Sequence, residues 1–184
     1  MSSKQTLREQ FILKRKLIYT PENQEIIDQL VLDKFKDYIT QHKPKSLGLY
    51  KNFGSEMSTS LLDKYARDMG IKICYPKTIN SELFFLQNYS ENDFIKSENG
   101  FLEPINSEEF IIPELVITPA LAIDKNLNRL GYGKGFYDRF INKNHTPHYL
   151  TIIPDQLLVE KLPTDPWDEP IDEIIEVIVP KNII

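Results

Sequence analysis

Cysteine occurs once in these 184 residues, at Cys74, which excludes an intramolecular disulfide and any CxxC metal knuckle. An excess of basic charge is also missing. The 22 Lys and Arg stand against 27 Asp and Glu, so no global positive field draws in nucleic acid. Long apolar runs are absent too: "LVITPALAI" at 115–123 falls well short of the roughly 18 residues a membrane-spanning helix needs, and it contains a proline. Near the start the only apolar run is Phe11-Ile12-Leu13, too short for a secretory core, and Glu9 speaks against a mitochondrial presequence. The expectation is a cytoplasmic protein with neither membrane nor nucleic-acid partners. Glycine is scarce as well, and three of the seven crowd into "RLGYGKGFYDRF" at 129–140.

What is present reads as a globular domain over 1–184, since 41% hydrophobic and 27% charged residues suffice for a core and a solvated surface. Residues 4–18 carry Leu7, Phe11 and Ile18 near one face and predict a helix. "YTPEN" restarts the chain, with Thr20 as N-cap, Pro21 in the first helical position and Glu22 at the positive end. Ile26, Ile27, Leu30, Val31, Phe35, Tyr38 and Ile39 continue that second helix to about residue 40. "SLGLY" (46–50), "IKICYP" (71–76), "LFFLQ" (83–87), "HYLTIIP" (148–154) and "EIIEVIVP" (173–180) read as strands. "ELVITPALAI" (114–123) reads as a strand running into a proline turn. Helices are expected at 57–69, stopped by Gly70, and at about 135–143. The stretch 88–110 is mostly loop with short strands, and Pro163, Pro166 and Pro170 make a rigid irregular loop before the last strand. Helices alternating with short apolar strands predict an α/β sandwich around a mainly parallel sheet.

The glycine loop matches no common phosphate motif. GxGxxG from Gly131 would require glycine where Phe136 stands, and Gly133-Lys134 is followed by Gly135 instead of Ser or Thr. The physical reading outlives the failed patterns. Gly131, Gly133 and Gly135 can expose backbone N–H groups, a helix begins at the loop's end, and Arg129 and Lys134 add charge for phosphate oxygens. Asp138 in the first turn could hold a magnesium ion bridging those phosphates. The alternative is a tight strand-to-helix turn whose glycines serve packing and whose Asp138 complements the helix dipole. The residues alone leave both open.

In combination, several blocks resemble the 5-formyltetrahydrofolate cyclo-ligase (5,10-methenyltetrahydrofolate synthetase) family. They are "KQTLR" with Arg15 seven residues on, "FGSEMST" at 53–59, "GFLEP" at 100–104, 115–140, and "PDQLLVEKLPTDPWDEPIDEII" at 154–175. The resemblance implies a three-layer α/β/α fold of the ribose-phosphate isomerase type, a cytoplasmic monomer, and ATP- and Mg2+-dependent closure of 5-formyltetrahydrofolate, with or without a polyglutamate tail. It implies an ATP site of Lys4, Arg8, Arg129, Leu130, Gly131, Tyr132, Gly133, Lys134, Gly135, Phe136 and Tyr137, with Lys134 and Arg129 stabilising the transferring phosphoryl group. Lys51, Glu56, Tyr132 and Phe136 would contact the folate, and Asp138 with Asp172 would hold magnesium. Trp167 departs from the histidine expected there, Lys51 is not the residue expected at its position, and Phe136 lacks the hydroxyl of the tyrosine many relatives carry. Two other functions share most of these groups: a phosphosugar enzyme of similar fold, and a non-catalytic folate- or nucleotide-binding protein.

Overall fold

Local capping sets where the first helices begin. The computed structural model describes residues 3–88, 90, 93–98, 100–105 and 109–181. Helix α1 (Lys4–Ile18) starts where the Ser3 hydroxyl accepts the Thr6 N–H, and α2 (Pro21–His42) where the Thr20 hydroxyl accepts that of Asn23. Lys43, at φ 48°, closes α2 by donating its N–H to the Ile39 carbonyl at 2.8 Å. Strand β1 (Ser46–Gly48) follows. Helix α3 spans only Ser60–Asp68, shorter than 57–69. The Thr59 hydroxyl donates to the Tyr50 carbonyl at 2.5 Å, and the Glu56 carboxylate turns back to the Phe53 N–H at 2.8 Å, so residues 53–59 form a loop.

Strands β2 (Lys72–Ile79) and β3 (Glu82–Gln87) form a hairpin whose turn residues Asn80 and Ser81 both have positive φ, 50° and 64°. Within the stretch read as loop, β4 (Phe94–Lys96) and β5 (Leu102–Pro104) pair antiparallel. The 114–123 segment divides at Pro119 into β6 (Leu115–Ile117) and β7 (Ala122–Asp124), which belong to different sheets. Then come β8 (Arg129–Leu130), α4 (Phe136–Lys143), β9 (His148–Pro154), a 3-10 turn, β10 (Leu158–Val159) and β11 (Glu173–Val177).

The main sheet has the order β11-β9-β6-β1-β2-β3, parallel throughout except for β3 against β2. Tyr75 and its cross-strand partner Leu86 share one face, and the Tyr75 hydroxyl donates to Asp63 of α3 at 2.6 Å. Phe85 consequently turns to the opposite face and meets Phe140 of α4, ring centroids 5.1 Å apart. Helices thus cover both faces, the expected sandwich. Gly48 is required where Phe85 crosses β1, because a Cβ there would lie 2.7 Å from the ring. Cys74 is buried, which pushes its thiol up to about 12; it acts as a small core hydrophobe. Among the described residues no helix is long and apolar enough to cross a membrane.

The small sheet β10-β7-β8 carries the glycine loop into place. Buried Asp124 anchors it, accepting the N–H groups of Asn126, Asn128 and Leu162 at 2.9, 3.0 and 2.9 Å. Burial works against its charge, but the hydrogen bonds from Asn128, Leu162 and Asn126 outweigh it and hold the carboxyl below its ordinary range.

Candidate active site

A cavity of about 360 Å³ opens beyond the carboxyl ends of β1 and β6, where ligands of parallel α/β sheets commonly bind. All of the expected ATP and folate residues line it: Lys4, Arg8, Lys51, Glu56 and the whole run 129–137. The glycine loop forms one wall. Gly133 (φ 94°) and Gly135 (φ 65°) take left-handed conformations, and among the described residues the N–H groups of 131–135 donate to no protein acceptor. Five consecutive unpaired amides at the start of α4 make an anion-binding edge. Lys134 stands exposed in that loop.

Helix α1 closes the loop from outside. Arg8 donates from Nε to the Gly131 carbonyl at 3.0 Å and lays its guanidinium across Gly133, where a Cβ would meet Cζ at 2.9 Å. Gly133→Ala combines that collision with a positive φ. It should cost about 1 kcal/mol in backbone strain alone and displace Arg8, weakening phosphate binding. Thermal unfolding and phosphate or ATP titration measure the two effects; wild-type values for both would remove Gly133 from the binding edge.

Arg129 sits under the loop with its side chain only 5% exposed. It donates to the Pro119 carbonyl at 3.2 Å and to Asp138 Oδ1 at 3.1 Å, and it lies 5.4 Å from the Tyr137 ring centre. Its Nε and the Tyr137 hydroxyl are buried without partners among the described residues. Asp138 Oδ1 also accepts the Glu169 N–H at 3.4 Å, whereas Oδ2 has no hydrogen bond among the described residues. Lys51 Nζ lies over the rings of Tyr75 and Phe94, 4.9 and 4.6 Å from their centres. Phe53 links Tyr132 (6.4 Å) to Phe101 (5.3 Å) through edge-on ring contacts, and Phe136 carries Arg139 over its face.

Asp172 does not join Asp138. It stands just before β11, the outermost strand, and it does not line the cavity; its Oδ2 accepts the Tyr149 N–H at 2.8 Å with His148 alongside. Of the acids in that proline-rich loop, Asp165 and Asp168 share the cavity with Asp138. Lys4 pairs with both; partial burial works against its charge, but the two acids outweigh it and hold its pKa above the ordinary lysine value. Trp167, 69% exposed, forms part of the rim. Sequence reasoning also missed Tyr50, Phe101 and Glu103, which line the same cavity. "GFLEP" was the available signal for the last two. Among the described residues no group of three or more His, Cys, Asp or Glu side chains forms a metal cluster.

Glu56 is 7% exposed and faces the cavity. Burial raises its pKa, and the Phe53 N–H and the Arg15 guanidinium partly offset that rise.

Fold and cavity together define an α/β protein with a glycine-walled cavity that gathers side chains of both charges, a buried carboxylate and aromatic rings. The chain belongs to the 5-formyltetrahydrofolate cyclo-ligase family, whose model matches residues 1–177. It is 31% identical over 168 residues to the 5-formyltetrahydrofolate cyclo-ligase of Haemophilus influenzae, covering 85% of this chain and 88% of that one. To the Escherichia coli K12 cyclo-ligase it is 27% identical over 175 residues, 89% and 95% of the two chains. Two solved structures share the fold. The 5,10-methenyltetrahydrofolate synthetase of Mycoplasma pneumoniae aligns with a TM-score of 0.76 at 23% identity, covering 95% of this chain and 98% of that one. That of Aquifex aeolicus aligns with a TM-score of 0.81 at 24% identity, covering 94% and 89%.

Proposed function

We propose that the protein closes 5-formyltetrahydrofolate to 5,10-methenyltetrahydrofolate with ATP and magnesium, releasing ADP and phosphate. The run of unpaired amides at 131–135, flanked by Arg8 and Lys134, carries the nucleotide half of this reading. The formyl group is an amide and a poor electrophile. Its oxygen attacks the γ-phosphorus, forming an O–P bond as the bond to ADP breaks. The neighbouring anilino nitrogen then attacks the resulting iminium phosphate carbon, loses its proton, and phosphate leaves. Such transfers need positioning and charge neutralisation more than a protein nucleophile. The loop amides, Lys134 and Arg8 hold the phosphates, and Arg129 orients Asp138.

Magnesium commonly takes one or two carboxylates plus phosphate oxygens, so the lack of a larger cluster among the described residues is compatible with it. Asp138 Oδ2 and the Asp165–Asp168 loop supply the acids; bound there, the ion would neutralise charge on the transferring group. Glu56 offers two acceptor oxygens to the adjacent N–H donors of the pterin, and Tyr132 and Phe101 offer rings. Growth of the methenyl product's absorbance that requires both ATP and magnesium tests the proposal. A phosphosugar enzyme or a passive folate binder would produce none.

Glu56→Gln should weaken folate binding by roughly 1.5–3 kcal/mol, the scale of a charge-assisted hydrogen bond, with ATP binding little changed. It should also make the free protein more stable at neutral pH. Burial raises the folded pKa, so the native state favours the protonated acid and stability falls as pH rises through that pKa. Calorimetric titration and thermal melts check both signs; unchanged folate affinity with a lower melting temperature would reduce Glu56 to a structural residue of its loop.

A further inference from the structure

Among the described residues Arg15 is the largest side chain that is almost wholly buried, 2% exposed, and it forms no direct ion pair there. Its guanidinium instead joins three separate segments. Nε donates to Ser55 Oγ at 3.1 Å, Nη1 donates to the Ala120 carbonyl at 3.1 Å, and Nη2 donates to the Tyr132 hydroxyl. It also lies 5.4 Å from the Tyr132 ring centre. Ala120 and Tyr132 line the cavity, and Ser55 precedes Glu56, which does as well; Arg15 itself stands behind this wall. An apolar residue of similar volume often serves a fold as well as a buried charge does, so stability alone gives little reason for an arginine here. Three acceptors belonging to three parts of one cavity give a better one.

We propose that Arg15 is a positioning residue for the folate half of the site: it fixes the Tyr132 ring and the Glu56 loop in register and supplies the cation that Glu56 faces. This rests on the reading of Glu56 as the pterin's acceptor. The groups whose charges bear on Glu56 are Arg15 from α1, Tyr50 after β1, Tyr132 in the glycine loop and Tyr137 in α4. Arg15 is the one cation among them. It favours the ionised carboxylate against burial, so its removal moves Glu56 protonation to higher pH.

The test is calorimetric titration of 5-formyltetrahydrofolate into the nucleotide-free protein between pH 5 and 8. Arg15→Gln should raise Kd about tenfold at neutral pH and shift the acid-side loss of binding to higher pH. Arg15→Lys keeps the charge without the three-way fork. It should restore the wild-type pH profile while leaving Kd several-fold raised. A merely structural role would lower the melting temperature and leave the profile unmoved. That result, with Glu56→Gln abolishing the acid-side loss, would overturn the Arg15 proposal and keep the Glu56 reading. A Glu56→Gln protein with wild-type affinity and profile would overturn the Glu56 reading instead. Should Arg15→Gln not fold, Arg15→Lys decides: a raised Kd with the wild-type profile supports the proposal, and an unchanged Kd overturns it. Failure of both variants to fold assigns Arg15 to the fold and overturns it as well.

Discussion

Asp138→Asn is expected to lower turnover on the order of a hundredfold while leaving folate binding nearly intact. The amide can still accept the Arg129 and Glu169 donors through one oxygen, so the loop keeps its shape. What is lost is the negative charge at the second oxygen. Asp168→Asn should behave similarly but also loosen Lys4, so its defect should vary more with magnesium and with ATP. Asp172→Asn should keep turnover and change stability by less than about 0.5 kcal/mol, because its carboxylate serves the Tyr149 amide outside the cavity. Steady-state rates at several magnesium concentrations separate the three. A magnesium-sensitive loss in Asp172→Asn equal to that in Asp138→Asn would restore Asp172 to the metal site and remove Asp168.

Arg129→Met should be the most destabilising single change in the site, at about 3 kcal/mol. It strips the partner from the partly buried Asp138 carboxylate and leaves the Pro119 carbonyl without its donor. The methionine fills the space but donates nothing. Urea unfolding followed at constant m-value measures the cost, and Asp138→Asn added to Arg129→Met should recover part of it, since the stranded charge is then gone. A midpoint equal to wild type would mean that water replaces the guanidinium freely and that Arg129 does not brace the loop.

Much of this was legible in the chain because it is written locally. Thr20-Pro21 and the apolar ladder of α2 need no distant partner to be read, and the cluster of three glycines marks a tight loop leading into a helix. What was not legible depends on distant neighbours. Whether 114–123 stays in one sheet is decided by β9 and β8, which take its two halves in different directions from Pro119. The expected helix at 57–69 starts late, at Ser60, because the tie between Thr59 and the Tyr50 carbonyl is invisible in sequence. Asp165, Asp168 and Asp172 occupy an aperiodic, proline-rich stretch, so no periodicity says which acid faces inward. In sequence nothing sets Arg15 apart from its basic neighbours Lys14 and Lys16; only acceptors gathered from three other segments make it a buried one.

The first helix also imposes an order in time. Lys4, Arg8 and Arg15 meet partners that lie 105 to 164 residues further along the chain, apart from the nearer Ser55. At about 5–20 residues per second of synthesis, roughly 7 to 30 seconds separate the making of α1 from that of Asp168, the last of them. A nascent chain can form α1 and α2 early but cannot assemble the cavity, so ligand can stabilise the finished protein but not its growing precursor. A segment made early is among the last to find its place.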